Sequence, residues 1–369
     1  MVSGFSATAL HATDRAHARI VLAVFVLVAL FFVAVTQSPL RSGFADAPSR
    51  GPGDVALYRA EVDRIRGGQS YYEAAAEELP SRGYPTRSVF NWRTPLPVWL
   101  VARFPSDAFG NAVLGATGLV LIALCLGWLG EEAGPRQALL GGLLLSGAVM
   151  PCLLGDLMLM SELWSGILIA LSAVCFGRQR PTAGVLAGVA ALFFRELAAP
   201  YCLVCLTLAL HRRDLRQVVQ WLAGMAAYAA CYAWHVWQVL LAMPGESVSA
   251  PGWLQFGGAG FLISTAQMNA YLLLLPQWVT AIYLACALLG CATWNSEGGQ
   301  RVAISLAVYT IAFSIVGNNF NQYWGSMIAP LLCLAACRAP AALAALWTAA
   351  LASHAQAPGS FAPPRRAAR

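Results

Sequence analysis

The chain has 369 residues, of which 59% are hydrophobic and only 11% charged, against the roughly 25% charge of a soluble domain. Its mean hydropathy of +0.62 excludes an ordinary soluble globular protein and makes the bilayer the solvent of the fold, so that its spans are helices or a closed barrel. The formal charge of +6 comes from arginine alone, because the sequence contains no lysine; in so apolar a chain the basic residues mark topology, and no nucleic-acid partner is expected.

The apolar runs are continuous rather than alternating, which selects helices over a barrel. The first covers 20–35 and follows Arg15 and Arg19, the pattern of an uncleaved signal-anchor with its N-terminus in the cytoplasm. Further apolar stretches run over 108–130, 137–151, 163–176, 183–194, 197–210, 218–242, 271–293, 302–316, 323–337 and 341–352. The fold class is therefore an all-α, polytopic transmembrane protein of about 10–11 spans, several shorter than the roughly 20 residues of a straight crossing. One membrane domain covers 1–353, and an Ala- and Pro-rich tail over 354–369 reads as disordered.

Alternate threading places the Glu131–Arg136 turn, Arg178 and Arg180, His211–Arg216 and Asn295–Arg301 on the cytoplasmic side, where arginine accumulates. The 37–95 loop, 151–162, Arg195-Glu196, 243–270 and 318–324 then fall on the outer side. One conflict remains: if 341–352 crosses, the tail with Arg365, Arg366 and Arg369 ends outside.

In the 37–95 loop, Pro52-Gly53 precedes Asp54, well placed as an N-cap, and Val55, Tyr58, Val62 and Ile65 repeat along one helical face. This predicts an amphipathic helix at the membrane surface, ended by Gly67-Gly68. Tyr71-Tyr72 opens a second short helix through Leu79, and the aromatic, Pro-rich stretch from Phe90 to Trp99 leads into the next apolar segment.

This loop resembles that of the GT-C glycosyltransferases, most closely the polyprenol-phosphate-mannose-dependent mannosyltransferase branch. The matching residues are Asp54, Tyr58, Gly68, Tyr71-Tyr72, and the aromatic–Pro passage Phe90, Trp92, Pro95. They lie in the first quarter of the chain; beyond it the likeness is one of hydropathy. The family often has a Tyr-Pro-Pro-like passage where this chain has Trp92-Arg93-Thr94-Pro95. What the resemblance implies is an inverting hexosyl- or pentosyltransferase of the bacterial cytoplasmic membrane, its site facing the periplasm. Its partners would be a polyprenyl-phosphate-sugar donor in the bilayer and a glycan or glycolipid hydroxyl acceptor, with Asp54 as general base. Because the leaving group is a phosphate, cationic groups are needed to receive it, and Arg93 and Arg195 are the arginines expected to do so.

Other residues of the outer face carry paired readings. Asp156 and Glu162 fit sugar hydroxyls or a divalent cation, or else an ordinary polar turn. Arg195-Glu196 interrupts the 183–210 apolar stretch, which marks a functional pair in a membrane; as neighbours on a helix they point apart, so no mutual salt bridge is expected. Asn319 and Gln322, with Asn318 and Asn321, offer amides and Trp324 a ring for a sugar, although an interfacial loop has the same composition. His235 either faces the cavity or packs against a neighbouring helix. Gly257–Gly260 lacks the context of a phosphate loop and reads as flexible outer loop. The ten cysteines show no metal-ligand spacing, and Cys202-x-x-Cys205 reads as buried small hydrophobes. The alternative class, a transporter or flippase for a lipid-linked or small polar solute, is disfavoured by charges gathered on one face and by the lack of an evident inverted repeat.

Overall fold

A computed structural model describes residues 14–38, 53–243, 256–317 and 319–352, with the side chain of Asn319 excepted. The expected tail over 354–369, Asn318 and most of the first loop before Gly53 lie outside the described residues. Among those described every regular element is helical. Four helical stretches, Arg15–Gln37, Asp107–Ala133, Pro135–Leu153 and Phe320–Leu351, are long and apolar enough to cross a membrane, and four shorter apolar helices accompany them. This is the build of a helical membrane protein.

In chain order the helices are α1 (Arg15–Gln37), α2 (Gly53–Arg66), α3 (Tyr71–Ser81), α4 (Pro95–Arg103), α5 (Asp107–Ala133), α6 (Pro135–Val149), α7 (Ser161–Gly177), α8 (Pro181–Phe194), α9 (Ala199–His211), α10 (Leu215–Ala242), α11 (Gly258–Ala266), α12 (Ala270–Leu273), α13 (Gln277–Cys291), α14 (Glu297–Ile315), α15 (Gly325–Ala336) and α16 (Ala339–Leu351). Apolar on all sides, α7 and α15 are buried along nearly their whole length. Small residues let their neighbours come close: a methyl on Gly166 of α7 would lie 2.3 Å from the carbonyl oxygen of Ser326, and one on Gly290 of α13 would lie 1.9 Å from that of Ala335. By contrast, α1 is peripheral, exposing Ile20, Leu27, Leu30 and Phe31 as a lipid-facing helix does.

Three expectations change. First, the apolar face of α2 packs inward against α3 and α4, with Leu57, Tyr58 and Val62 buried, so the helix docks on protein as well as lying in the loop. Second, the residues read as a flexible glycine loop start α11, whose Phe261, Leu262, Ile263 and Ala266 are buried against α13, α14 and α15. Its apolar run was hidden behind three glycines, and the preceding residues 244–255 lie outside the described part. Third, 271–293 is broken, with Pro276 separating α12 from α13.

The polar side chains collect at the two ends of the bundle. At one end, Arg178 faces Glu131 at 3.7 Å, Arg212 pairs with Glu297, and Ser296 donates to Glu132 at 3.0 Å. Arg15 and Arg19 at the start of α1 both donate to the carbonyl of Ala350, each at 3.2 Å, satisfying the open C-terminal end of α16. The last described helix thus ends beside the beginning of the first. Only the turn at Cys337-Arg338 separates α15 from α16, so 323–352 is one bent apolar stretch.

Candidate functional site

At the opposite end, four chain segments bring their charged residues together. Gly53, at φ 83°, takes a backbone conformation that favours glycine and starts α2. Asp54, expected as the cap, is consequently the second residue of α2, and Asp54, Tyr58 and Glu61 follow at i, i+4 and i+7 on one face. Ser70 and Glu73 form a capping box that starts α3 with Tyr71 and Tyr72. The loop from Arg82 to Thr94 supplies Tyr84, Trp92 and Arg93, and the short 3-10 segment Asn319–Trp324 supplies Tyr323.

Both carboxylate oxygens of Asp54 accept from tyrosines: Oδ1 from the Tyr84 hydroxyl at 2.8 Å and Oδ2 from the Tyr323 hydroxyl at 2.8 Å. Arg93 lies behind them. Its Nε donates to the Tyr58 hydroxyl at 2.7 Å and its Nη2 to the Tyr323 hydroxyl at 3.0 Å, with Nη2 also 3.8 Å from Asp54 Oδ2. The Arg93 Nη1 reaches to 3.9 Å from Glu196 Oε1. That carboxylate is 2.9 Å from Arg195 Nη1, and Arg195 Nε is 3.0 Å from Glu162 Oε1. The Arg195 contacts are ion pairs by distance, but these nitrogens are not aligned as hydrogen-bond donors. Glu162 and Arg195 are 0% and 1% exposed, and such buried charges persist only in pairs.

The Arg195–Glu196 ion pair corrects the sequence expectation. A pair of helical neighbours points apart, but Arg195 has extended backbone, φ −151° and ψ 122°, at the break between α8 and α9. Leaving the helix turns its side chain toward Glu196 and Glu162.

Asp54, Tyr58, Arg93, Glu162, Arg195 and Glu196 thus form one connected network. Asp156 pairs with Arg59 at the surface, where Arg59 and Arg66 also hold Asp107, each at 2.9 Å; this latch fastens α2 to the start of α5. Asp156 and Glu162 each pair with a different arginine, and no cluster of metal-ligating residues occurs among the described residues. Trp324 is 4% exposed and packs against Phe261 and Phe313, with ring centroids 6.4 and 6.1 Å away, so it belongs to the core and offers no open platform to a sugar. Gln322 is exposed, while the side chain of Asn319 lies outside the described residues. His235 is buried and bonded, Nδ1 to the Tyr72 hydroxyl at 3.0 Å and Nε2 to the Trp92 carbonyl at 3.2 Å.

Sequence reasoning missed Tyr84, Tyr323 and Glu61. Tyr84 carries no local signal. Tyr323 sat inside a stretch chosen for its amides. Glu61, seven residues after Asp54, could have been found from the helical repeat alone. It is 2% exposed, its Oε2 has no hydrogen-bond partner, and burial pushes its carboxyl up to about 8. Burial thus favours the protonated, neutral form of Glu61 at neutral pH.

A cleft lined by Tyr58, Arg93, Pro97, Val98, Leu159 and Ser161 opens beside the network. Its volume of about 10 Å³ has room for roughly one water. The chain matches no family model, no curated protein and no solved structure.

Proposed function

We propose that the chain is a GT-C-type glycosyltransferase that moves a sugar from a polyprenyl-phosphate donor to a hydroxyl of an envelope glycan or glycolipid at the outer face of the bacterial cytoplasmic membrane. The observation that supports this reading best is the pairing of Asp54 with Arg93, 3.8 Å apart, on a docked surface loop at the rim of an apolar bundle. A carboxylate and a phosphate-binding guanidinium stand side by side where a lipid-borne donor and a water-borne acceptor meet. In the reaction, the acceptor oxygen attacks the anomeric carbon from the face opposite the phosphate. Asp54 takes the hydroxyl proton, the bond from anomeric carbon to phosphate oxygen breaks, and the departing phosphate keeps the electron pair, with Arg93 receiving the charge. Displacement of the Tyr323 hydroxyl from Asp54 Oδ2 would expose the oxygen that accepts the proton.

The beginning of α1 and the end of α16 then face the cytoplasm, which places Arg15 and Arg19 there in keeping with the positive-inside rule. A transporter reading is less well supported, because the charges gather at the ends of the bundle instead of lining a path at mid-depth. The test is sugar transfer by purified protein from a polyprenyl-phosphate-linked donor. Asp54→Asn is expected to lower turnover by about 100-fold or more, general-base catalysis being worth 10²–10⁴. An Asp54→Asn protein as active as the parent would end the base assignment, and a parent that transfers nothing from such donors would end the enzyme class.

A further inference from the structure

Arg93 sits in a loop, yet two successive backbone carbonyls of that loop are gripped by side chains. Tyr71 donates its hydroxyl to the Arg93 carbonyl at 2.5 Å, and the Trp92 carbonyl faces Nε2 of His235 at 3.2 Å. The Trp92 indole is also fixed, donating to the Thr86 carbonyl at 3.0 Å. A carbonyl oxygen only accepts, so Nε2 of His235 carries the proton; Nδ1 is then the acceptor, and it receives the Tyr72 hydroxyl at 3.0 Å. One neutral tautomer satisfies both contacts. His235 is 1% exposed and stands on α10, whereas Tyr71, Tyr72 and Thr86 all belong to the same loop region as Arg93. The ring is thus a bolt between a helix of the bundle and the turn that presents the guanidinium.

We propose that His235 is a positioning residue for Arg93: it fixes the Trp92 carbonyl to α10 and so holds the guanidinium beside Asp54, where a phosphate-ended lipid is received. This rests on the transferase reading for its reaction, but the recognition of a lipid phosphate is separable from turnover. A bound group set loosely loses about 10- to 100-fold in rate for a displacement of about 1 Å. The chemistry distinguishes the two ring nitrogens, because a glutamine amide nitrogen reproduces the reach of Nε2 and an asparagine amide only that of Nδ1.

The experiment compares His235→Gln, His235→Asn, Arg93→Gln and the His235→Asn/Arg93→Gln double variant as full-length proteins in detergent. Two quantities are measured: kcat and KM for sugar transfer, and the Kd for farnesyl phosphate as a short polyprenyl-phosphate probe. His235→Gln is expected to stay within about threefold of the parent in both, while His235→Asn loses about tenfold in kcat and in farnesyl phosphate affinity with acceptor KM nearly unchanged. Combined with Arg93→Gln, His235→Asn should add almost nothing, since residues acting through one contact are not additive. Full additivity in the double variant, or equal losses in the Gln and Asn variants, overturns the proposal. If the parent transfers no sugar but binds farnesyl phosphate, the transferase reading fails, and the same binding cycle still decides the role of His235. A parent that does neither overturns both.

Discussion

Glu61 offers a sharp test of the electrostatics at this site, because its state follows from burial and from named neighbours. Its carboxyl is pushed up to about 8 first by burial; the charges of Glu78 and Asp54 push the same way, and those of Arg93 and Arg82 oppose them. The ordinary value for this group is 4.5. The folded protein therefore holds a proton that the unfolded chain releases, and stability contributed by Glu61 is full below about 4.5, falls as pH rises, and is lost above about 8. At 1.36 kcal/mol per pH unit the whole swing is about 5 kcal/mol, and about 3 kcal/mol of it is already lost at pH 7. Glu61→Gln removes the proton equilibrium while keeping the shape. The assay is thermal unfolding of parent and variant in the same detergent from pH 5 to pH 9, read as the difference between them, so that every other titrating group cancels. The variant should gain on the parent steadily with pH and level off above about 8. A difference that stays flat across that range would mean that Glu61 is ionised and paired when folded.

Two further outcomes follow from packing. Removing Arg195 takes the paired cation from the buried Glu162, so Arg195→Met should destabilise by about 3–5 kcal/mol, with the Glu162→Gln/Arg195→Met double variant recovering part of the loss; an Arg195→Met protein that melts with the parent would show that the pair is solvated. A methyl on Gly325 would lie 1.9 Å from the carbonyl oxygen of Thr265, whereas one on Gly260 meets nothing within 4 Å. Gly325→Ala should therefore cost about 1–3 kcal/mol by forcing α15 off α11, and Gly260→Ala should stabilise by up to about 1 kcal/mol through helix propensity. Equal melting temperatures for the two would refute the close approach of α11 and α15.

The helices were legible because hydropathy and their punctuation agree. Gly67-Gly68 ends α2 and Tyr71 begins α3 where the sequence placed them. The meeting of Asp54, Arg93, Glu162, Arg195 and Glu196 was also legible, because charge in an apolar chain is costly and alternate threading sorts it to one end. What could not be read was the direction in which each side chain points. Trp324 and Asp156 had the right composition and the right end of the bundle, yet one is turned into an aromatic core and the other toward Arg59. Glu61 shares the helical face of Asp54 and Tyr58, but its burial comes from packing across the site and not from the repeat. α11 failed for a different reason: three glycines disguise a helix whose stability comes from tertiary contact, not from propensity.

The short helices and the candidate site have a common cause. Non-helical backbone near membrane depth is tolerated only where protein or a cavity satisfies its polar groups. At the break between α8 and α9 the chain leaves helical geometry at Arg195, and Tyr309 of α14 donates to the Leu197 carbonyl at 2.8 Å. The 183–210 stretch is therefore two short helices with a satisfied corner between them, and that corner is what frees Arg195 to face Glu162 and Glu196. A continuous helix through the same residues would point Arg195 and Glu196 apart and separate Arg93 from the buried pair. Spans too short for a straight crossing are, in this chain, the means by which charge reaches the rim of the bundle.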